Sequence, residues 1–276
     1  MREGRPSLTA TLVSFARGVG KPPVDPVSRE LLSPFLAGLQ RAASHAPAVA
    51  NAVLFGLVDH QTLRTRAIDA AVSDGVASGI RQLVILGAGL DARAYRMTDL
   101  AAVTVYELDH RSTQAHKQAR VGSRLPKAGA VHFVPVDFES GELGEALGRA
   151  GHDKEVATMW VWEGVVPYLK PEAVTATLNV VGGCSAVGSR VALTYATKRL
   201  TVLGQRVGEL GLPLFALIGE PVFGRFEPDE MKQALGTAGL SVLHDDAPRD
   251  WARRFAHART WSLLLEERLV VACRRL

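Results

Sequence analysis

The chain reads as a doubly wound α/β protein on a seven-stranded, mostly parallel sheet, and three observations predict this. Five short apolar runs rich in β-branched residues, at 81–86, 103–108, 131–136, 156–162 and 189–195, are separated by stretches of helical character. Their apolarity is continuous where a half-exposed strand would alternate, as expected of parallel strands covered on both faces. The first run ends in Gly87-Ala88-Gly89, and about twenty residues later the second ends in Asp109, a glycine turn followed by an acid.

Taken in order, residues 1–24 show no clean periodicity and end in Lys21-Pro22-Pro23, which predicts a loosely docked N-terminus. Asp25-Pro26 offers an N-cap and a proline at the first helical position, predicting a helix over 25–39. A second helix is expected over 48–58, so that 1–61 forms an N-terminal segment and helical cap and 62–276 the core. Over 62–78, Leu63, Ala67, Ala70, Ala71 and Val76 recur at helical spacing, with Gly79 as the stop. Glu227-Pro228-Asp229-Glu230 opens a helix that ends near Gly239, and runs at 241–244 and 268–273 bring the strands to seven. The segment 200–225, rich in Gly, Leu, Pro and Phe, reads as a lid, with Phe215, Phe223 and Arg225 turned toward a substrate.

At 276 residues and 47% apolar, the chain can bury one large core. No uncharged apolar run reaches the roughly 18 residues a membrane span needs, and the apolar stretch at 8–15 leads into Arg17 with no cleavage site. A cytoplasmic protein is expected. Cys184 and Cys273 are far apart, with no Cys or His at metal-ligand spacing, so buried thiols are expected and neither a disulfide nor a metal site. The net charge of +4, from 32 basic and 28 acidic residues, is spread along the chain without basic-aromatic interleaving. That argues against nucleic acid and suits an anionic small molecule.

In an open parallel sheet, ligands sit beyond the carboxyl ends of the strands, so the residues just after each strand are the first place to look for chemistry. Asp91 follows the glycine turn, Asp109 ends the second run, Asp137 follows the third and Glu163 the fourth. The backbone of Gly87, Ala88 and Gly89 can approach a ligand where a Cβ would intrude, and Asp109 can hold a ribose diol with two hydrogen bonds. Gly87, Gly89 and Ala92 also satisfy the relaxed G-x-G-x-x-A form of nicotinamide dehydrogenases. Four carboxylates would repel a diphosphate, however, whereas S-adenosylmethionine carries a sulfonium and an α-amino group and no phosphate. Taken singly, Asp91, Asp109 and Asp137 serve equally well as caps or Asx-turn residues. Glu107, inside the second run, reads as a core carboxylate satisfied by Arg93 or Arg96.

Four linked motifs then carry a family resemblance. They are 86–96, beginning Leu86-Gly87-Ala88-Gly89-Leu90-Asp91; Tyr106-Glu107-Leu108-Asp109; Val134-Pro135-Val136-Asp137-Phe138; and 162–169, beginning Trp162-Glu163-Gly164. In order and spacing, across roughly 64–178, they resemble the leucine carboxyl methyltransferase family, and more its tetracenomycin-type polyketide carboxyl methyltransferases than its eukaryotic phosphatase-modifying enzymes. The resemblance implies a Rossmann-like, class I methyltransferase fold with S-adenosylmethionine as cofactor. Arg66 would pair with the methionine carboxylate, with Arg64 as the competing candidate; guanidinium suits that bidentate task. The Gly87 and Gly89 backbone would pass against the methionyl and ribose part, Asp109 would take the ribose hydroxyls, Asp137 and Phe138 would bracket the adenine, and Glu163 would accept from the α-amino group. Arg66 as a solvated helix charge and Phe138 as core are the plainer alternatives.

Methyl transfer from a sulfonium is an in-line displacement in which the protein mainly holds the groups collinear. A carboxylate acceptor is ionised at neutral pH and needs no base, whereas a phenol near pKa 10 does. The expected activity is therefore methyl esterification of a small acidic, aromatic molecule such as a polyketide acid, with phenolic O-methylation second. An NAD(P)-dependent oxidoreductase and a non-catalytic nucleoside-cofactor-binding protein are the rivals of another class. His60 and Tyr168 are the candidate catalytic residues; His60 reads more readily as a cap-surface histidine, and Tyr168 equally well as a packing tyrosine. The oligomeric state is open, a homodimer included.

Overall fold

The computed structural model describes residues 8–20, 24–138, 142–200, 223–256 and 265–275. Seven strands, β1 (Gln82–Leu86), β2 (Thr104–Asp109), β3 (Ala130–Pro135), β4 (Thr158–Trp162), β5 (Arg190–Leu200), β6 (Leu240–Asp246) and β7 (Leu265–Arg274), form one sheet. Its order is β3-β2-β1-β4-β5-β7-β6. The first five strands in that order run parallel, and β7 is antiparallel to both β5 and β6. All seven apolar runs read from the sequence are strands. The chain passes from β1 to β2 on one side and returns to β4 on the other, so a crevice opens between the carboxyl ends of β1 and β4.

The continuous apolarity of the central strands has a direct cause. Successive side chains point to opposite faces, and both faces are covered. Leu83, Ile85 and Val161 enter one core with Leu63, Ile68 and Trp251. Val84, Leu86, Trp160 and Trp162 enter the other, with Leu178 and Met231. Over the first face lie α1 (Leu8–Arg17), α2 (Ser28–Leu31), α3 (Pro34–Ala43), α4 (Pro47–Val53), α5 (Leu57–Ala77), α6 (Arg93–Arg96) and α7 (Arg111–Val121). Over the second lie α8 (Leu143–Arg149), α9 (Pro171–Gly183) and α10 (Pro228–Thr237), while α11 (Pro248–Arg254) returns to the first through Trp251. Among the described residues, no helix is long and apolar enough to cross a membrane.

The N-terminal region departs most from expectation. Residues 8–17 form a docked helix whose last turn, Ser14 to Arg17, is buried. The expected helix over 25–39 is two helices, because Pro34 has no N–H to continue the first, and Ser33 restarts the chain by accepting from Leu36 N–H at 3.4 Å. The expected helix over 48–58 stops at Val53: Phe55 and Gly56 take positive φ of 50° and 84°, and Leu57 and Val58 belong to α5. Further along, the expected helix from Glu227 is α10; it opens with a capping box between Glu227 and Glu230 and stops ahead of Gly239 at φ 75°. Cys184 and Cys273 are free thiols, half-buried where full burial was expected.

Candidate functional site

The turn after β1 is held open by glycine and closed by an acid. Gly87 and Gly89 have φ of 64° and 49°, the left-handed region. Asp109, at the end of β2, accepts from Gly89 N–H at 2.6 Å and with its other oxygen from His110 N–H at 2.6 Å. A Cβ on Gly87 would lie 2.4 Å from Val165 Cγ2, whereas one on Gly89 would be in ordinary contact, 3.7 Å from Ala10 Cβ of α1 and 3.8 Å from the Gly87 carbonyl oxygen. Helix α1 thus roofs the turn. Gly87→Ala is expected to cost about 2 kcal/mol or more, combining backbone strain with overlap, and Gly89→Ala about 1 kcal/mol. Denaturant midpoints of the two variants check this; equal midpoints would contradict the crowding at Gly87.

Glu163, directly after β4, sits at the centre of a buried ion cluster. Its Oε1 accepts from Arg64 Nε at 2.9 Å and from Arg17 Nη2, and its Oε2 accepts from Arg93 Nη1 at 2.9 Å. These arginines come from α5, the last residue of α1 and the first residue of α6. Arg93 also donates to Asp69 Oδ1 at 2.8 Å and to Asp91 Oδ2. Arg96 donates to both oxygens of Asp69, at 2.7 and 2.8 Å. On the far side, Arg64 Nη1 donates to the Glu267 oxygens at 2.8 and 2.9 Å, and His60 Nε2 lies 2.5 Å from Glu267 Oε2.

Burial pushes the Glu163 carboxyl up, but Arg17, Arg93 and Arg64 together outweigh it and hold the group well below the usual carboxylate range. Asp91 is likewise lowered, burial being overcome by Arg93 and Arg17. Asp109 is raised, burial outweighing the Gly89 and His110 N–H bonds, the Lys117 charge and the Thr113 hydrogen bond. An ion pair of this kind gains about 4 kcal/mol in Coulomb energy at an effective dielectric near 20, against a desolvation cost of several kcal/mol per ion. Such a cluster therefore adds little to stability for its size. What it provides is a fixed array of opposite charges at the ends of β1 and β4, where perturbed carboxylates mark functional sites.

The structure brings together Arg64, Gly87, Ala88, Gly89, Asp91, Asp109 and Glu163. Arg66 is exposed, because two helical steps turn a side chain by about 200°, and Arg64 faces the sheet. Asp137 is exposed just beyond β3, brought beside Asp109 by the bond from Val136 N–H to the Asp109 carbonyl at 3.0 Å. Phe138 packs against the second core. His60 is buried beneath Trp251, with ring centroids 5.9 Å apart, and belongs to the cluster, not to the cap surface. Tyr168 is half-buried in the short turn Val166–Tyr168. Glu107 pairs with Lys117 at 2.5 Å, and not with Arg93 or Arg96, which are engaged by Asp69, Asp91 and Glu163. Phe223 and Arg225 line a cleft of about 690 Å³ with Pro171, Lys198 and Glu230. Phe215 and 201–222 of the expected lid lie outside the described residues. Arg17 and Glu267 were not visible as site residues in the sequence; the one signal for Glu267 is an acid set against an apolar strand.

The leucine carboxyl methyltransferase family model matches residues 22–182. The chain belongs to the leucine carboxyl methyltransferase family. Within that match lie the glycine turn, Asp109, Asp137 and Glu163, whereas Arg17 and Glu267 lie outside it. A candidate S-adenosyl-L-methionine-dependent methyltransferase of Mycobacterium tuberculosis is 37% identical over 208 residues, 72% of this chain and 65% of that protein. One from Frankia alni is 39% identical over 137 residues, 49% of this chain and 48% of that protein. The chain thus spans about half to just under two thirds of the length of these relatives. Among solved structures, a DUF574 family protein from Streptomyces avermitilis superposes with a TM-score of 0.65 at 15% identity, covering 98% of both chains. Magnesium protoporphyrin IX methyltransferase from Synechocystis, with bound S-adenosylhomocysteine, superposes at 0.50 and 15% identity, covering 86% of this chain and 99% of that one. At these identities the likeness is one of fold, and the fold of this family member is that of the class I methyltransferases.

Proposed function

We propose that this family member is an S-adenosylmethionine-dependent O-methyltransferase that converts a small-molecule carboxylic acid, of aromatic or polyketide type, into its methyl ester. The observation that carries the reading is Glu163, a buried carboxylate set among three guanidinium groups beside a glycine turn. Guanidinium and carboxylate side by side fit a zwitterion, an α-carboxylate next to an α-ammonium. Arg17 Nε and Arg93 Nη2 are, in addition, buried donors with no hydrogen-bond partner among the described residues, so the cluster holds unspent capacity for an acceptor. A diphosphate fits less well, because Asp91, Asp109 and Glu163 stand at the ends of β1, β2 and β4.

When bound, S-adenosylmethionine supplies an electrophilic methyl group on its sulfonium sulfur. Glu163 accepts from the α-ammonium, and Arg64 with Arg17 holds the α-carboxylate. Asp109 keeps Gly89 in place and offers its remaining lone pairs to the ribose hydroxyls. The Gly87, Ala88 and Gly89 backbone lines the methionyl side, Asp137 and Phe138 flank the adenine, and Asp91 acts through Arg93, which it orients. The cap helices α1 to α4 would border the acceptor on one side and Tyr168 on the strand-four side. An ionised carboxylate needs no proton removed by the protein. His60, the imidazole of the cluster, is already engaged with Glu267, which favours such an acceptor. A phenol is the second reading, and His60 Nδ1, buried and without a partner among the described residues, is the observation that favours it.

The test is incubation with S-adenosylmethionine and a panel of aromatic acids and phenols, followed by alkali. Methylated product that releases methanol on saponification is an ester and supports the proposal; alkali-stable product is an aryl ether and supports the second reading. Binding of NADH without binding of S-adenosylmethionine would sink both.

A further inference from the structure

We propose that Glu267, on the last strand of the sheet, is a positioning residue that pre-sets Arg64 for the carboxylate of the cofactor, an inference that rests on the methyltransferase reading. Arg64 divides its donors between two acids. Its Nη1 is spent on Glu267, with 2.8 and 2.9 Å contacts to the two oxygens, and its Nε on Glu163 at 2.9 Å. Its Nη2 lies 3.6 Å from the point where a Cβ on Gly164 would stand. With Nη1 anchored, the Nε and Nη2 edge is the one left for a planar bidentate partner, and Glu163 is the group that must yield part of it.

Glu267 is itself held. Its side chain is 13% exposed, and its Oε2, which also accepts from Arg64 Nη1, meets His60 Nε2 at 2.5 Å. His60 and Arg64 stand four residues apart on α5, hence on one face of the helix. Burial opposes the charge on Glu267, but Arg64 and the His60 hydrogen bond outweigh it and hold the carboxyl at about 2. It stays ionised throughout the neutral range. An arginine side chain carries about 2 kcal/mol of rotamer entropy, and ordering it before the ligand arrives removes that cost from binding. The chain of contacts from His60 through Glu267 and Arg64 to Glu163 thus joins the last strand to the end of β4 by way of α5.

The experiment compares two probes by calorimetric titration. S-adenosylhomocysteine carries the amino-acid carboxylate, and 5′-methylthioadenosine keeps the nucleoside and thioether but lacks it. Glu267→Gln is expected to weaken S-adenosylhomocysteine binding about tenfold and to leave methylthioadenosine within about twofold. In turnover, KM for S-adenosylmethionine should rise with kcat within about twofold. In an Arg64→Ala background, Glu267→Gln should have no further effect, since it acts through Arg64. Equal weakening of both probes, unchanged or tighter S-adenosylhomocysteine binding, or a full effect in the Arg64→Ala background would each overturn the proposal. If Glu267→Gln does not fold, His60→Gln loosens the same carboxylate and should show the same probe selectivity at about threefold; no selectivity there overturns it as well. Wild-type protein that binds neither probe would reject the methyltransferase reading itself, an outcome distinct from all of these.

Discussion

Glu163→Gln is expected to lower affinity for S-adenosylhomocysteine by about 100-fold and to cost the fold about 3–5 kcal/mol. The substitution keeps the shape and removes one charge. Arg93 retains Asp69 and Asp91, and Arg64 retains Glu267, but Arg17 loses the acid it meets at the end of α1. A buried guanidinium left with only the unbonded charges of Asp91 and Asp25 is the dominant penalty, since its desolvation is then only partly repaid. The two losses are separable. Denaturant unfolding measures the first, and titration at a temperature where the variant is fully folded measures the second. A variant that unfolds more readily but binds the ligand as tightly as wild type would leave Glu163 a purely structural residue.

Arg64→Ala should weaken the same ligand by about 10- to 100-fold, the value of a charge-assisted bidentate contact, while Arg66→Ala should stay within about twofold in affinity and about 0.5 kcal/mol in stability. Arg64 is buried between two acids, whereas Arg66 is on the solvent side of α5. A loss at Arg66 equal to that at Arg64 would show that the ligand reaches around the helix and that the arrangement of the cluster is not what selects it.

The choice between these two arginines shows where sequence reading ends. Along α5, apolar or buried side chains occur nearly all round the helix, from Val58 and His60 through Thr65 and Ile68 to Gly75, so the pattern carries no clear phase to say which arginine points inward. The strands are a different case. Leu83 to Leu86 and Met159 to Trp162 are continuous apolar runs whose burial is decided locally, and they were readable without knowledge of the partner strands. The glycine turn and the acids at strand ends were readable for the same reason.

Contacts distant in sequence were not readable. Arg17 meets Glu163 across 146 positions, and Arg64 meets Glu267 across 203. Nothing within a window around either partner announces the other. Glu107 makes the point at shorter range: Arg93 and Arg96 were its nearest plausible partners in the turn motif, but both are captured by other acids, and Lys117 on α7 supplies the charge. Competition among acids for a limited set of arginines is a property of the assembled cluster, not of any one segment.

The place of Glu267 on β7 has a consequence for how the protein matures. As the polypeptide emerges during synthesis, β1 to β4 and the glycine turn are available long before residue 267, and a sheet of five parallel strands could collapse without it. The charge array is complete only once β7 lies antiparallel between β5 and β6. Full ligand affinity in a nascent or refolding chain would then serve as a stopwatch for insertion of the final strand.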